Sequence, residues 1–187
     1  LKVYKYLTPD ILICNNIMRD SLKRNAHTEF ICYILNKQLP SSTKVVLNAD
    51  DLICSGLFPN NKDRTYFGVS ADRPENGAAT DEALRDIVYC PKCGAKLETE
   101  YVRYNHIGRH HCSSCGFASP KPDYDVTAIN REKGTFTVTH NGVDEEYKIV
   151  NDNIINIYNS CAVISVLHTF KVGCKRIAVV AAVAVQN

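Results

Sequence analysis

The sequence has almost no net charge and no long hydrophobic run. Its 22 basic residues are balanced by 20 acidic residues, which leaves a formal net charge of +2. No overall positive field would therefore recruit nucleic acid or anionic lipid. The longest apolar stretch, residues 177–185, is far shorter than the about 20 residues that a membrane-spanning helix needs. The first residues also lack the apolar run and cleavage site of a signal peptide, so we expect a soluble, cytoplasmic protein.

The cysteines lack the pattern of a disulfide framework. Of the nine cysteines, four form two Cys-x-x-Cys pairs and five stand singly in apolar segments. The single cysteines are Cys14, Cys32, Cys54, Cys161 and Cys174. An odd total with scattered single residues is typical of reduced, buried thiols in a reducing compartment.

The first part of the chain predicts a parallel sheet covered by helices. A helical pattern over residues 18–39 breaks near residues 25–27, which predicts two helical pieces. Short apolar strands are predicted at residues 10–15, 44–48 and 65–69. Apolar strands that alternate with helices indicate the α/β fold class.

The last part of the chain changes to an alternating pattern after a polar linker at residues 72–83. Strands are predicted at residues 125–129, 135–140 and 145–150, with a hairpin turn at Asn141-Gly142. A helix is predicted at residues 157–170. The Ala- and Val-rich residues that follow fit either a helix or a strand.

Two Cys-x-x-Cys pairs, each followed by glycine, stand eighteen residues apart. The four cysteines are Cys90, Cys93, Cys112 and Cys115. Two intervening residues let one turn direct both sulfurs at one metal, and the glycine allows the positive φ at which such turns close. Four thiolates complete the tetrahedral coordination of zinc and leave no position for water, so the predicted zinc is structural. Residues 86–121, named the ribbon here, are expected to contain a hairpin.

Other interpretations of the ribbon remain open. One Cys-x-x-Cys pair could be a redox pair, and His106, His110 or His111 could replace a cysteine as a ligand. The basic and aromatic residues that could bind RNA are Lys92, Lys96, Arg103, Arg109, Lys121, Tyr101, Tyr104 and Phe117. Because Glu98, Glu100 and the charge of a zinc tetrathiolate oppose this, we expect no nucleic-acid partner. We expect a small insertion that unfolds without its metal while the rest of the domain survives.

Three further segments resemble the Mur ligases, enzymes that extend or amidate the peptide of cell-wall precursors. Residues 15–24 resemble the segment after a central strand of that family, and residues 47–51 contain its Asn-Ala-Asp-Asp motif. Residues 156–162 resemble its Asn-x-x-Asn-x-x-Ala helix start. A four-cysteine ribbon between the last two segments is similar to the MurT-type subunits of lipid II isoglutaminyl synthase.

This resemblance implies a Mur ligase central domain with a P-loop-type sheet. Residues 1–85 and 122–187 would form that domain and residues 86–121 the inserted zinc ribbon. The implied enzyme uses ATP and Mg²⁺ to phosphorylate the D-glutamate α-carboxylate of lipid II. Ammonia from a GatD-type glutaminase partner then gives D-isoglutamine, and the membrane is met only through the lipid-linked substrate. Catalysis of this kind depends on positioning and on neutralising phosphate charge.

The resemblance also implies nucleotide contacts at the ends of the strands and at the start of the last helix. The residues are Asn156 and Asn159 beside the base, with Asn48, Asp50, Asp51, Asn15, Arg19 and Asp20 at the strand ends. Helix capping by the asparagines of the last helix, and an Asx turn at Asn48, are the structural alternatives.

The chain departs from the family at the phosphate site. A Gly-rich loop ending in Gly-Lys-Thr or Gly-Lys-Ser, which would hold ATP phosphates, occurs nowhere in the 187 residues. Because the chain also begins without methionine, we expect an inactive fragment of a longer ligase. The alternatives are a zinc-ribbon module that binds protein or RNA without enzymatic activity, and a noncatalytic scaffold that docks a partner.

Overall fold

The computed structural model describes residues 9–17, 28–74 and 87–169. In these ranges the elements are β1 (Ile11–Cys14), α1 (Thr28–Gln38), β2 (Lys44–Asn48), α2 (Leu52–Ser55), β3 (Arg64–Val69), β4 (Glu98–Tyr104), β5 (Ile107–His111), β6 (Tyr124–Asn130), β7 (Thr135–His140), β8 (Val143–Lys148) and α3 (Ile154–Thr169). Six strands form one sheet in the order β1-β2-β3-β6-β7-β8, and β4 and β5 form a separate hairpin between β3 and β6 in sequence.

Four neighbouring strands of the sheet run parallel, as the apolar segments predicted. β1 pairs with β2, β2 with β3, and β3 with the start of β6, where Phe67 lies opposite Tyr124. Along β2, Val45, Val46 and Leu47 are all buried. A strand that is apolar on both faces belongs inside a sheet with helices on each side, so the α/β prediction is confirmed for the parallel half.

The two faces of the sheet carry different helices. Val46 and Phe67 face α3 and share a core with its Ile164. Val45 faces the opposite side and shares a second core with Leu57, against which α1 packs its half-buried side chains. The side chains of successive β2 residues point to opposite faces, so one strand joins the two cores.

An antiparallel hairpin extends the sheet beyond β6. The turn residues Asn141 and Gly142 have φ values of +51° and +76°, as the tight hairpin turn predicted at this dipeptide requires. β7 matches its predicted range, whereas β8 begins two residues before the predicted strand and ends two residues earlier. The two-residue turn determines this register, because it leaves no loop residues before Val143.

The last helix begins three residues before its predicted start. Asn153 Oδ1 accepts a hydrogen bond of 2.9 Å from the backbone N–H of Ile155, as a helix N-cap does. Asn156 and Asn159 therefore lie inside the first turns of α3 and do not cap it. The first predicted helical piece, most of the linker and the Ala- and Val-rich end lie outside the described residues. None of the helices in the described ranges is long and apolar enough to cross a bilayer.

Candidate metal site and strand-edge site

The two Cys-x-x-Cys segments fold into matching turns. The backbone N–H of Gly94 donates to Cys90 O, and that of Gly116 donates to Cys112 O, each at 2.9 Å. Gly94 and Gly116 have φ values of +75° and +72°. These left-handed conformations are the ones that the glycine after each pair was expected to provide.

The turns bring four sulfurs into one cluster. The Sγ atoms of Cys90, Cys93, Cys112 and Cys115 all lie within 4.8 Å of one another. Cys90 Sγ is 3.7 Å from Cys115 Sγ, and Cys93 Sγ is 3.5 Å from Cys112 Sγ. Tetrahedral zinc with bonds of about 2.3 Å separates its sulfurs by about 3.8 Å, whereas a disulfide bond is about 2.0 Å long. The cluster therefore could hold a metal ion and fits the dimensions of zinc.

The β4-β5 hairpin between these turns enters the main body of the domain. Its tip residue Ile107 is fully buried and belongs to the core beneath α3. The backbone N–H of the next residue, Gly108, donates to Asp50 O at 2.7 Å. A Cβ at Gly108 would lie 2.0 Å from Tyr101 O, so only glycine fits here. The expected peripheral insertion is thus joined through its tip to the loop after β2. This loop lies at the carboxyl-terminal ends of the parallel strands, which are called the strand edge below.

Arg103 attaches the hairpin to the end of β3. Its Nη1 donates to Asp72 O and its Nη2 to Val69 O, both at 2.8 Å, and Nη2 also donates to Ala71 O. The hydroxyl of the buried Tyr101 donates to Val69 O at 3.3 Å. These bonds satisfy carbonyl groups that the strand leaves unpaired where it ends.

Asp51 organises the loop that follows β2. Its Oδ1 accepts from the backbone N–H groups of Ile53 and Cys54 at 2.8 and 3.0 Å, so it caps α2. Its Oδ2 accepts from Ile17 N at 3.0 Å, and His106 Nε2 of the hairpin lies 3.2 Å from Oδ1. Asp51 is completely buried. Both oxygens therefore serve the structure of the edge.

Asp50 lies in a second buried network at the same edge. Its Oδ2 accepts from the Tyr158 hydroxyl at 2.6 Å and from Val69 N at 3.0 Å. Arg109 Nη1 lies 3.3 Å from its Oδ1. Burial raises the pKa of Asp50, while the Tyr158, Val69 and Arg109 donors lower it. Burial and the nearby Asp50 charge together hold the pKa of Tyr158 well above its usual range.

Three asparagines connect the strand ends to α3. Asn15 Nδ2 donates to Asn159 Oδ1 at 2.5 Å, across 144 residues of sequence. Asn48 Nδ2 donates to Asn15 O at 2.8 Å, and its Oδ1 accepts from Asp50 N at 2.9 Å, an Asx turn. Asn156 is half-buried in the first turn of α3. The contacts thus bring five of the eight predicted nucleotide-contact residues together at the ends of the strands, namely Asn15, Asn48, Asp50, Asp51 and Asn159. Asn156 lies three residues before Asn159 in α3, and Arg19 and Asp20 lie outside the described residues.

The structure gives ribbon residues other positions than the sequence suggested, and sequence reasoning missed Tyr158 as a partner of Asp50. His106 was considered a metal ligand, but it is fully buried beside Asp51. Tyr101 was considered for base stacking but is buried, and Tyr104 packs edge-on against Tyr158 at 6.5 Å. The only available signal was the density of histidine, arginine and tyrosine in the ribbon, which does not name their partners.

Comparisons with known proteins identify relatives of this chain. No protein-family model matches the sequence. Two curated relatives, from Staphylococcus aureus strains COL and N315, are named lipid II isoglutaminyl synthase (glutamine-hydrolyzing) subunit MurT. Each is 29% identical over 167 residues, which are 89% of this chain and 37% of the relative. The chain thus spans little more than a third of their length.

A solved structure shows the same fold. The pseudomurein peptide ligase type C from Methanothermus fervidus matches with a TM-score of 0.68 and 25% identity, over 88% of this chain and 32% of that protein. Sequence and fold therefore lead to the same group of proteins. The chain is related to the MurT-type Mur ligases.

Proposed function

We propose that this chain forms part of the nucleotide-binding domain of an ATP-dependent, amide-forming ligase of the MurT type. The proposed reaction is amidation of the D-glutamate α-carboxylate of lipid II to D-isoglutamine during peptidoglycan synthesis, with glutamine as the amide donor. The observation that carries the proposal is the hydrogen bond between Asn15 and Asn159. This bond joins residues 15–24 to residues 156–162, two separate segments that each resemble the Mur ligases. It lies at the strand ends, where α/β folds bind nucleotides.

The residues of the edge divide into two proposed roles. Asn156 and Asn159 are half-buried amides, so they are suited to hydrogen-bonding the edge of a nucleotide base. Asp50 and Asp51 are buried and use their oxygens within the protein, so they hold the edge together and do not fit Mg²⁺, which needs accessible oxygen ligands. We assign no Mg²⁺ ligand to the described residues.

In the proposed reaction ATP would transfer its γ-phosphoryl group to the poorly electrophilic carboxylate and leave as ADP. Phosphate would then be the leaving group when ammonia attacks the acyl phosphate. Because the sequence has no Gly-rich phosphate loop, we propose that another segment of the enzyme holds the phosphates and that this chain alone is inactive. A GatD-type glutaminase is the proposed partner and ammonia source. The eight described cysteines are free, which supports our placement of the protein in the reducing cytoplasm.

For the ribbon we propose a structural zinc ion held by the four cysteines. The zinc would join the two ends of the hairpin and thereby position Gly108 and Arg109 against Asp50. The alternative of an RNA-binding ribbon is not favoured, because two of the three aromatic residues considered for base stacking are engaged inside the domain: Tyr101 is buried and Tyr104 packs edge-on against Tyr158. Stacking of bases needs exposed aromatic faces.

The test uses the ligase polypeptide that carries this chain, produced together with its glutaminase partner. We expect D-isoglutamine to form from lipid II only when both ATP and glutamine are present. Asn159→Ala should raise the KM for ATP about tenfold, the factor for about 1.4 kcal/mol of binding, with a small change in kcat. The matched control is Asn60→Ala. Asn60 is an exposed asparagine that precedes β3, at the amino-terminal end of that strand. Absence of ATP-dependent amidation would refute the proposal, and RNA binding with a steep salt dependence would favour the ribbon alternative.

A further inference from the structure

A small, partly polar cavity lies between the ribbon and the sheet, beside Asp50. Its volume is about 240 Å³, below the range of pockets for drug-sized ligands or nucleotides. The side chains used in the following argument are Asp50, Ser70, Arg73, Arg109, Lys121 and Asp125. The cavity therefore suits a ligand group of about one amino-acid residue.

A second cavity of about 340 Å³ continues from the first. The two share Lys121, Pro122 and Asp125, and the second reaches the hydroxyl groups of Thr127 and Thr139 on the outer face of β6 and β7. A ligand longer than one residue could extend from the first cavity into the second. A peptide has this shape, since it is a chain of similar polar units.

A glycine of β3, Gly68, lies against two residues that line the first cavity, Pro122 and Asp50. A Cβ at Gly68 would lie 3.1 Å from Pro122 Cγ and 3.5 Å from Asp50 Oδ1. A larger side chain at this position would push Pro122 away. The absence of a side chain thus lets Pro122 and Asp50 keep their positions beside the cavity.

The cavity contains cations that the protein itself only partly uses. Arg109 is engaged by Asp50 and by Pro120 O at 2.8 Å. Arg73 donates through Nε to Ser70 O at 3.1 Å and lies over the Tyr101 ring. Within the described ranges its terminal nitrogens make no further hydrogen bond or ion pair. Lys121 is exposed and has no ion-pair partner among the described residues. Lys121 and Arg73 together can hold a carboxylate through charge-assisted hydrogen bonds.

The acidic side of the cavity complements these cations. Asp125 Oδ1 accepts from Ser70 N at 2.9 Å. Its second oxygen accepts no hydrogen bond from the residues that the structure describes, so it can accept one from a ligand N–H group. Glu100 also lines the cavity. A lining that offers both acceptors and donors matches a peptide, which carries N–H groups and carboxylates, better than a phosphate, which carries oxygens only.

We propose that this pair of cavities binds the peptide portion of the ligase substrate, with a free carboxylate of that peptide held by Lys121 and Arg73. This inference rests on the proposed function. It assigns the ribbon a second role, because the ribbon supplies one wall of the peptide site through Arg109 and Lys121.

The test measures peptide binding to the zinc-loaded chain by NMR titration. The probe is the dipeptide alanyl-D-glutamate, with its diamide as the uncharged counterpart and inorganic phosphate as the competing anion. We expect the dipeptide to shift the amide signals of Ser70, Arg73 and Asp125 and to bind at least about tenfold more tightly than the diamide, since charge-assisted bonds to the carboxylates are lost in the diamide.

The variant Lys121→Met should weaken dipeptide binding about tenfold. Lys133→Met is the matched control, since Lys133 is an exposed lysine in the turn between β6 and β7. This variant should bind the dipeptide as tightly as the unaltered chain does. Equal affinity of the Lys121→Met variant, shifts confined to other residues, or equal binding by phosphate would overturn the inference.

The amidation assay separates this inference from the proposed function. If Lys121→Met leaves both dipeptide binding and ATP-dependent amidation unchanged, the cavity assignment is wrong and the ligase function stands. If the dipeptide binds at the cavity but the unaltered enzyme forms no amide with ATP and glutamine, the ligase function is wrong and the peptide site stands.

Discussion

Removal of the metal from the ribbon should unfold the whole domain in one transition. The sequence suggested the opposite, that a metal-stapled insertion would unfold alone. The contacts of the hairpin tip change this expectation, because Ile107 lies in the core beneath α3 and Gly108 and Arg109 are bonded to Asp50. If the hairpin loses its metal and leaves its position, these contacts are lost together.

The magnitude follows from the individual contacts. Withdrawal of a buried isoleucine such as Ile107 costs about 2–5 kcal/mol. Removal of the Arg109 partner from the buried Asp50 costs about 3 kcal/mol or more, and each backbone or Arg103 bond adds about 1 kcal/mol. The sum is similar to the about 5–15 kcal/mol that stabilises a typical domain. The rest of the sheet is therefore not expected to remain folded without the hairpin.

The perturbations are Cys93→Ser and, separately, a zinc chelator. Urea unfolding is followed by far-ultraviolet circular dichroism for the whole backbone and by tyrosine fluorescence, since the chain has ten tyrosines and no tryptophan. Both probes should lose their signal together, at a much lower urea concentration than in the zinc-loaded chain. Ser114→Ala, an exposed position in the second turn, should leave the midpoint unchanged. A separate early transition, followed by unfolding of the sheet at the original midpoint, would refute the reasoning.

Three further perturbations test single contacts. Gly108→Ala should destabilise the chain by about 3 kcal/mol in urea unfolding, because its Cβ would lie 2.0 Å from Tyr101 O, and an unchanged midpoint would contradict the docked hairpin. Asp51→Ala removes the α2 cap and the acceptor for Ile17 N and should cost about 2–4 kcal/mol by the same measurement, whereas a loss under 1 kcal/mol would argue against its structural role. Burial raises the pKa of Tyr101 and Tyr104 to about 12, so the unfolded chain loses phenol protons first as pH rises above about 10. The free energy of unfolding should then fall by about 1.4 kcal/mol per pH unit per tyrosine up to pH 12. Urea midpoints that stay constant over this range would contradict the raised pKa of these two tyrosines.

The strands and the β7-β8 turn could be predicted because their signals are local. The apolar run of Val45, Val46 and Leu47 needs only the solvent preference of its own side chains. Asn141-Gly142 needs only its own backbone preferences. The start of α3 was missed by three residues because Asn153, Asn156 and Asn159 are all plausible caps, and only the tertiary position of the helix selects Asn153.

The candidate site could be predicted only in part, for a related reason. Cysteine spacing predicted the sulfur cluster, because four ligands to one metal must satisfy a fixed geometry. The docking of the hairpin involves Gly108 N and the carbonyl groups bound by Arg103, and backbone partners leave no trace in side-chain patterns. Asp50 and Asp51 resemble ligand residues in sequence, yet their burial depends on a hairpin that lies more than fifty residues away.

The ribbon also determines the electrostatics of the strand edge. Asp50 is a nearly fully buried carboxyl group whose pKa is raised by burial. Among the described residues, Arg109 is the one cation within ion-pair distance of it. A buried carboxylate without a cation takes up a proton more readily, and protonation would change the bonds that Asp50 makes with Tyr158 of α3 and Val69 of β3. If a metal held by the four sulfurs positions Arg109, as we propose, the charge state of Asp50 depends on a site outside the sheet.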